Sequence, residues 1–223
     1  MNILIIGAGI SGISCAEYLI NQNMGYKISL IEKNAEVGYP QTKPGLIIDK
    51  ALINHLDKKI NLGETGCRRP WVSKSLAQHL ARKGIQIHLR SNLIQNPTLS
   101  IKGAGRIIYL KEFNFIINTT HTYFDFKSKN IQYKPPQNKM NFKGGLTFES
   151  TNTHQPIIKV KHSDNLIECW YEDSIPEIEN GWLERINGSF TLETASIDYS
   201  FEKGRKLAKE AILMMSESSQ QIA

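Results

Sequence analysis

Three glycines and one acid carry the first chemistry in this chain. Gly7, Gly9 and Gly12 stand in the spacing G-x-G-x-x-G, and Glu32 follows twenty residues after the last of them. A glycine at position 7 permits a tight turn, one at 9 lets the backbone approach a diphosphate, and one at 12 lets a helix pack close to a strand. The start of such a helix offers unpaired N–H groups and positive dipole to the phosphates. Ala8, Ile10 and Ser11 fill the loop between the glycines, and Ala16 keeps the close face small. An acid ending the next strand accepts hydrogen bonds from ribose hydroxyls and repels a 2′-phosphate, which is the role this spacing gives Glu32. The pattern reads as a site for an adenine dinucleotide; the competing reading is a glycine-rich turn with Glu32 as a surface charge.

These residues act only if the elements around them hold them in register. Asn2 to Ile6 (NILII) is a short continuous apolar run, as expected of a strand buried on both faces of a parallel sheet. A helical pattern follows, with Ile13, Ala16, Leu19 and Ile20 on one face, and Lys27 to Glu32 (KISLIE) is a second strand. Together they make a βαβ unit of dinucleotide-fold size. Residues 38–66 are irregular around one expected helix near Lys50 to Lys59. Ser73 to Lys83 carries the stripe Leu76, Ala77, Leu80, Ala81 of an amphipathic helix, with Gly84 as its cap. Ile85 to Leu89, Arg106 to Leu110 and Phe113 to Asn118 are further strands, and Gly103-Ala104-Gly105 reads as a turn. Beyond His121 the chain becomes polar, and three antiparallel strands follow at 146–149, 157–161 and 166–171. A last helix, Ser196 to Met215, presents Ile197, Phe201, Ala208, Ile212 and Met215 on one face.

The expected fold class is α/β. Residues 1–121 form a Rossmann-like parallel-sheet dinucleotide domain completed by the C-terminal helix in 191–217; residues 122–190 form a small β-rich substrate or cap region, and 218–223 a frayed tail.

Composition narrows the function. The 223 residues hold 27 Lys plus Arg against 21 Asp plus Glu, a net charge of +6. The basic residues are scattered rather than interleaved with aromatics in a dense run, so no nucleic-acid partner is expected. No apolar window is long enough for a membrane span and no signal peptide opens the chain, so a cytoplasmic location is expected. Cys15, Cys67 and Cys169 make neither a disulfide framework nor a zinc pair, and the six histidines show no metal spacing, so no metal is expected.

Longer stretches carry a resemblance. Ile6-Gly7-Ala8-Gly9-Ile10-Ser11-Gly12, then Glu32-Lys33 and Gly38, resembles the FAD fingerprint of the glutathione-reductase-like flavoproteins, and Val37-Gly38-Tyr39-Pro40 resembles their branch of geranylgeranyl reductases, lycopene cyclases, aromatic hydroxylases, amine oxidases and renalase. Arg68-Arg69, then Leu76 to Leu80, then Ile85 to Leu93 resembles the arginine, helix and strand that lead to the adenine. Phe115 to Asn118 followed by Thr119-Thr120-His121 resembles the strand and Ala-Thr-Gly segment beside the pyrophosphate. Ser196-Ile197-x-x-Ser200-x-x-Lys203-Gly204-x-x-x-Ala208 resembles the helix whose N-terminus faces the flavin ring.

The resemblance implies FAD as cofactor, with Lys33 and Gly38 beside the loop, Arg69 reaching the pyrophosphate, Leu93 contacting adenine through its backbone, Thr119 and Thr120 near the pyrophosphate, and Ser196 and Ile197 at the ring. Where the family carries Gly-Asp, this chain has Gly188-Ser189, so Ser189 takes the ribityl position without the acid. A compact FAD-dependent oxidoreductase acting on a small organic molecule is implied. Because no second fingerprint exists, its electrons come from the substrate, from diffusing NAD(P)H or from a partner protein; a homo-oligomer is compatible. His121 is the catalytic candidate, set against a loop histidine bonded to backbone. Cys67, beside two arginines, is set against a plain thiol, and Trp170-Tyr171 and Trp182 as pocket walls against core packing. The alternatives are a flavin- or dinucleotide-binding protein without redox turnover (isomerase- or cyclase-like, or a subunit of a complex), and an NAD-dependent enzyme.

Overall fold

The first strand, β1 (Asn2–Ile6), has Ile3, Leu4 and Ile5 fully buried, because helices or strands cover both faces of its sheet. The computed structural model describes residues 1–53, 60–95, 99–103 and 106–220. Helix α1 (Ile10–Ile20) follows β1 and returns the chain to β2 (Lys27–Ile31). Helix α2 (Arg69–Arg82) leads through Gly84, whose φ of +87° is the left-handed cap expected there, into β3 (Gln86–His88). A meander comes next: β4 (Asn92–Gln95), β5 (Leu99–Gly103) and β6 (Arg106–Tyr109), then β7 (Phe115–Asn118) and β8 (Asn130–Gln132). The parallel sheet runs β3-β2-β1-β7-β8, and the meander is a separate three-stranded antiparallel sheet.

Strands β9 (Met140–Phe148), β10 (Ile158–Lys161), β11 (Leu166–Glu172) and β12 (Glu184–Phe190) make an antiparallel sheet ordered β10-β11-β9-β12. The last element is α3 (Ile197–Gln220). The α/β class is as expected: a Rossmann-like parallel sheet with helices, plus antiparallel sheets.

The chain falls into two units. The first gathers Met1–Tyr39, Leu76–Pro135 and Phe201–Ala223, and the second Pro40–Ser75 and Pro136–Ser200. Residues 40–75, counted by sequence with the dinucleotide domain, thus cluster with the antiparallel sheet, as do 191–200, while 122–135 with β8 join the parallel sheet. Within the first unit, Leu4, Ile6, Ile31 and Ile116 pack with Ile101 and Leu110, so the meander buries its apolar side against the parallel sheet. In the same unit α3 lies on α1: Ser14 Oγ donates to Phe201 O at 2.7 Å, and a Cβ on Gly204 would stand 2.1 Å from Ser11 O.

In the second unit Phe142, Trp170, Ile186, Phe190 and Ala195 form the core, with Phe142 stacked on Phe190 at 4.3 Å between centroids. Glycine sets the room for its tryptophans. A Cβ on Gly144 would come within 2.8 Å of the Trp170 ring, and one on Gly145 within 2.2 Å of Trp182.

Four strands escaped the sequence reading: β4 (NLIQ), β5 (LSIKG), β8 (NIQ) and β12 (ERINGSF) are short or polar. The expected helix near 50–59 is a single 3₁₀ turn at Lys50–Ile53, and its remainder lies outside the described residues, as do Ala104 and Gly105 of the expected turn. No helix among the described residues is long and apolar enough to cross a membrane.

Candidate dinucleotide-binding site

In the first unit, β1 ends at Gly7, which has a φ of +96°. A Cβ there would meet Thr120 Cγ2 at 2.8 Å and Thr119 Oγ1 at 3.0 Å, so conformation and space both demand glycine. A Cβ on Gly12 would sit 1.8 Å from Gly7 O, which fixes how close α1 lies to the loop. Gly9 differs. It is exposed, it begins α1 with no side-chain cap, and a Cβ built on it meets nothing within 4 Å. The loop is therefore closed at 7 and 12 and open at 9, where α1 starts without a side-chain cap on its first amides. A diphosphate fits this cradle.

The flanking residues hold it rigid. Glu32 is buried; its Oε2 accepts from Ala8 N at 3.0 Å, and its Oε1 accepts from Asn34 N at 3.0 Å and Asn34 Nδ2 at 2.8 Å. A carboxylate oxygen has two acceptor positions, so Ala8 N leaves Oε2 one of them. Ile10 is buried in the first turn beside half-buried Ser11, whereas Lys33 is exposed. Gly38 has a φ of +77°. Thr119 is buried and donates from Oγ1 to Ile6 O at 2.8 Å, so the end of β7 clamps the loop. Thr120 N and Oγ1 both donate to Asn118 Oδ1. His121 is exposed, its ring tilted against Tyr133 at 5.6 Å. Leu93 is half-buried on β4, opposite Ile101, and packs into the core under the meander.

The other expected contacts lie in the second unit. Arg69 donates from Nη1 to Pro44 O at 2.8 Å and Ala195 O at 3.1 Å, and from Nη2 to Ser200 Oγ. Burial brings its pKa down to about 10, with Glu168 opposing, so it stays charged while tying loop 44 to the start of α3. Ser196 is buried and its Oγ accepts from Tyr199 N at 3.1 Å, capping α3. Ile197 N donates to Leu46 O at 2.8 Å. Ser189 is exposed on β12, paired with Asn141.

Two residues of this unit left no mark in the sequence. Glu168, 1% exposed, accepts on Oε1 from Gln41 Nε2 at 3.0 Å, Gly45 N at 3.2 Å and Trp170 Nε1, while its Oε2 lies 3.4 Å from His162 Nε2. The five residues come from three segments, the 41–45 loop, position 162 and β11, with no spacing to read. Lys43 donates to Thr194 O at 2.9 Å; burial first, then Arg69 and Lys139, pull its pKa down to about 7. Cys67 is an inert buried thiol: burial pushes it up to about 12, outweighing the opposing effect of Arg69. Cys15 is likewise buried with its thiol pushed up. Trp170 is fully buried core, Tyr171 is buried, and Trp182 donates from Nε1 to Pro176 O at 2.8 Å. Among the described residues no group of His, Cys, Asp and Glu could hold a metal ion.

The sequence profile of an NAD(P)-binding Rossmann-like domain matches residues 5–58, the stretch that contains the loop and Glu32. The fold is Rossmann-like.

Among solved structures the chain is similar to a geranylgeranyl bacteriochlorophyll reductase-like protein from Thermoplasma acidophilum, with 13% identity and a TM-score of 0.62 over 99% of this chain and 82% of that one. It is also similar to a flavoprotein/dehydrogenase from Cytophaga hutchinsonii, with 13% identity and a TM-score of 0.60 over 97% and 79%. A glycine oxidase from Bacillus cereus shares 11% identity and a TM-score of 0.56 over 94% of both chains. No curated protein sequence matches significantly. At these identities the likeness is one of fold. Within the Rossmann-like unit the structure gathers Gly7 to Gly12, Glu32, Thr119 and Thr120 around one loop; Arg69, Ser189, Ser196 and Ile197 belong to the other unit.

Proposed function

We propose that this chain binds FAD and acts as a compact oxidoreductase on a small organic substrate. The observation that carries the reading is the loop open only at Gly9, with Glu32 buried behind Ala8. Gly9 and the first amides of α1 hold the diphosphate, Glu32 and Lys33 flank the ribose, Leu93 meets the adenine, and Thr119 and Thr120 fix the loop from β7. FAD is preferred to NAD because Gly38, in a left-handed conformation, follows the acid, and because a flavoprotein/dehydrogenase shares the fold along nearly the whole chain. A flavin bound there supplies the hydride chemistry. The resemblance assigns Arg69 to the diphosphate, Ser189 to the ribityl chain and Ser196 and Ile197 to the ring; His121 is the candidate for proton transfer, and the electrons come from the substrate, from diffusing NAD(P)H or from a partner protein.

A second reading, a dinucleotide-binding protein without redox turnover, is favoured by Ser189, an exposed neutral side chain where the resemblance calls for an acid. A visible spectrum of the protein incubated with FAD, followed by anaerobic titration with NADH and NADPH, separates the two. A bound flavin band that bleaches supports the oxidoreductase. A bound band that no nicotinamide or candidate substrate bleaches supports the second reading, and a protein that stays colourless overturns the FAD oxidoreductase in favour of an NAD-dependent enzyme or a degenerate subunit.

A further inference from the structure

Lys43 and Arg69 stand side by side in the second unit, and no carboxylate answers them. Lys43 donates to Thr194 O at 2.9 Å. Arg69 donates to the next carbonyl, Ala195 O, at 3.1 Å, and to the carbonyl of Pro44, which follows Lys43, at 2.8 Å. The two cations therefore grip the same two segments, 43–44 and 194–195. Lys139 adds a third positive charge near enough to act on Lys43, and the Tyr199 ring centroid lies 5.8 Å from the ammonium. The acids nearby are engaged elsewhere. Glu168 accepts from Gln41, Gly45 and Trp170, and Asp198 accepts from the amides of Ile48 and Asp49. Among the described residues neither Lys43 nor Arg69 forms an ion pair.

Carbonyl oxygens satisfy N–H donors without neutralising the charge, and a desolvated cation calls for an anion. Both side chains are half-buried, so neither is sealed from solvent. Each also has donors to spare: an ammonium has three and Lys43 uses one, while a guanidinium has five and Arg69 uses three, on Pro44, Ala195 and Ser200. Glu168 and Asp198 offset part of the Arg69 charge, so the surplus matches a singly charged carboxylate better than a phosphate dianion. We propose that Lys43, backed by Arg69, binds the carboxylate of a small organic acid. The site lies wholly in the second unit and needs no flavin; that the acid is the substrate rests on the oxidoreductase reading above.

The proposal fixes a pH dependence. Burial, Arg69 and Lys139 hold the Lys43 amine near pKa 7, and a carboxylate beside it favours the charged form and raises that value. By linkage, carboxylate affinity is greatest below about pH 7 and falls as pH rises through it. The test follows Lys43 by NMR in the full chain, with lysine isotope-labelled at Cε and the signal assigned by its loss in Lys43→Met. The chain is titrated with sodium acetate against sodium chloride at equal ionic strength, with acetamide as the uncharged control. Acetate should raise the Lys43 midpoint by about one pH unit or more, which is a factor of about ten in affinity between the protonated and neutral forms; acetamide should leave it in place. K43M should bind acetate about tenfold or more weakly, read from backbone amide shifts, whereas K43R keeps the charge and should bind it with little change between about pH 6 and 9. A midpoint that acetate moves no further than chloride or acetamide, or wild-type acetate affinity in K43M, overturns the proposal. So does ADP, which carries the diphosphate without a flavin, if it displaces acetate from Lys43, because the cations then serve the dinucleotide. A protein that takes acetate but no FAD keeps the site and overturns only the oxidoreductase reading. Should K43M fail to fold, K43R assigns the signal and the acetamide comparison decides.

Discussion

Each unit buries one carboxylate, and the two are surrounded differently. Glu32 sits in the Rossmann-like unit, one oxygen on Ala8 N and the other on Asn34, at the edge of a loop that is open at Gly9. Glu168 sits in the antiparallel unit with Gln41, Gly45 and Trp170 on one oxygen and His162 beside the other. Three donors of its own chain converge on Oε1, so it fastens the 41–45 loop to β11, and at 1% exposure it is closed off from solvent. Glu32 keeps acceptor capacity beside an opening. Both acids accept three donors from their own chain, so what separates them is the surroundings: Glu32 stands behind the loop that is open at Gly9, and Glu168 is closed off at 1% exposure.

The largest effect that would sharpen this contrast is Glu168→Ala. It leaves three buried donors without an acceptor and should cost roughly 3–5 kcal/mol in urea unfolding, as breaking a buried charged network does. ADP affinity of the fraction still folded should be unchanged; a loss near zero in stability would break the comparison. Next is Gly12→Ala, whose Cβ would overlap Gly7 O at 1.8 Å. Backbone must shift, and about 1–3 kcal/mol of stability is expected to go with it, together with ADP binding. Glu32→Gln should be milder for the fold, about 1 kcal/mol, yet weaken ADP about tenfold by calorimetry, since an amide gives the ribose hydroxyl and Ala8 N a poorer acceptor.

A pH effect in the second unit comes last. Lys43 is held near pKa 7 by burial, against an ordinary 10.5. Between those values the unfolded chain binds one more proton than the folded one, so this group makes stability rise with pH across about 7 to 10.5; below about 7 its contribution is constant. Lys43→Met removes that rise. The wild-type-minus-variant difference in unfolding free energy should increase from pH 7 to 10, a subtraction that cancels the opposite slope from Cys67 and Tyr171, whose pKa values are raised. A flat difference would contradict the assignment of Lys43 as a desolvated amine.

The same contrast explains what the sequence disclosed. The strands β1 and β7 read as continuous apolar runs because both faces are covered, and the glycines at 7 and 12 are readable because a Cβ at either collides with named atoms. Such constraints fall on consecutive residues and leave a spacing. The Glu168 network draws on residues 41, 45, 162, 168 and 170, which no period connects, and its members look like ordinary loop and strand residues. β12 was hidden because its burial comes from alternate residues only, Ile186 and Phe190, in an otherwise polar run. Cys67 shows the reverse error, where two neighbouring arginines suggest an activated thiol but burial dominates. Trp170 looks like a pocket wall until Gly144 is seen to admit it to the core.

The central claim is that the opening at Gly9 is where a dinucleotide's diphosphate lies. The most direct test is FAD titration followed by flavin fluorescence, on the wild type and on Gly9→Ala, with the thermal midpoint of each measured without ligand. A methyl at position 9 meets nothing in the protein, so the two midpoints should agree closely, while FAD binding should weaken by about tenfold or more because the methyl occupies the diphosphate's space. Equal FAD affinity in the two proteins, or none in the wild type, would contradict the claim.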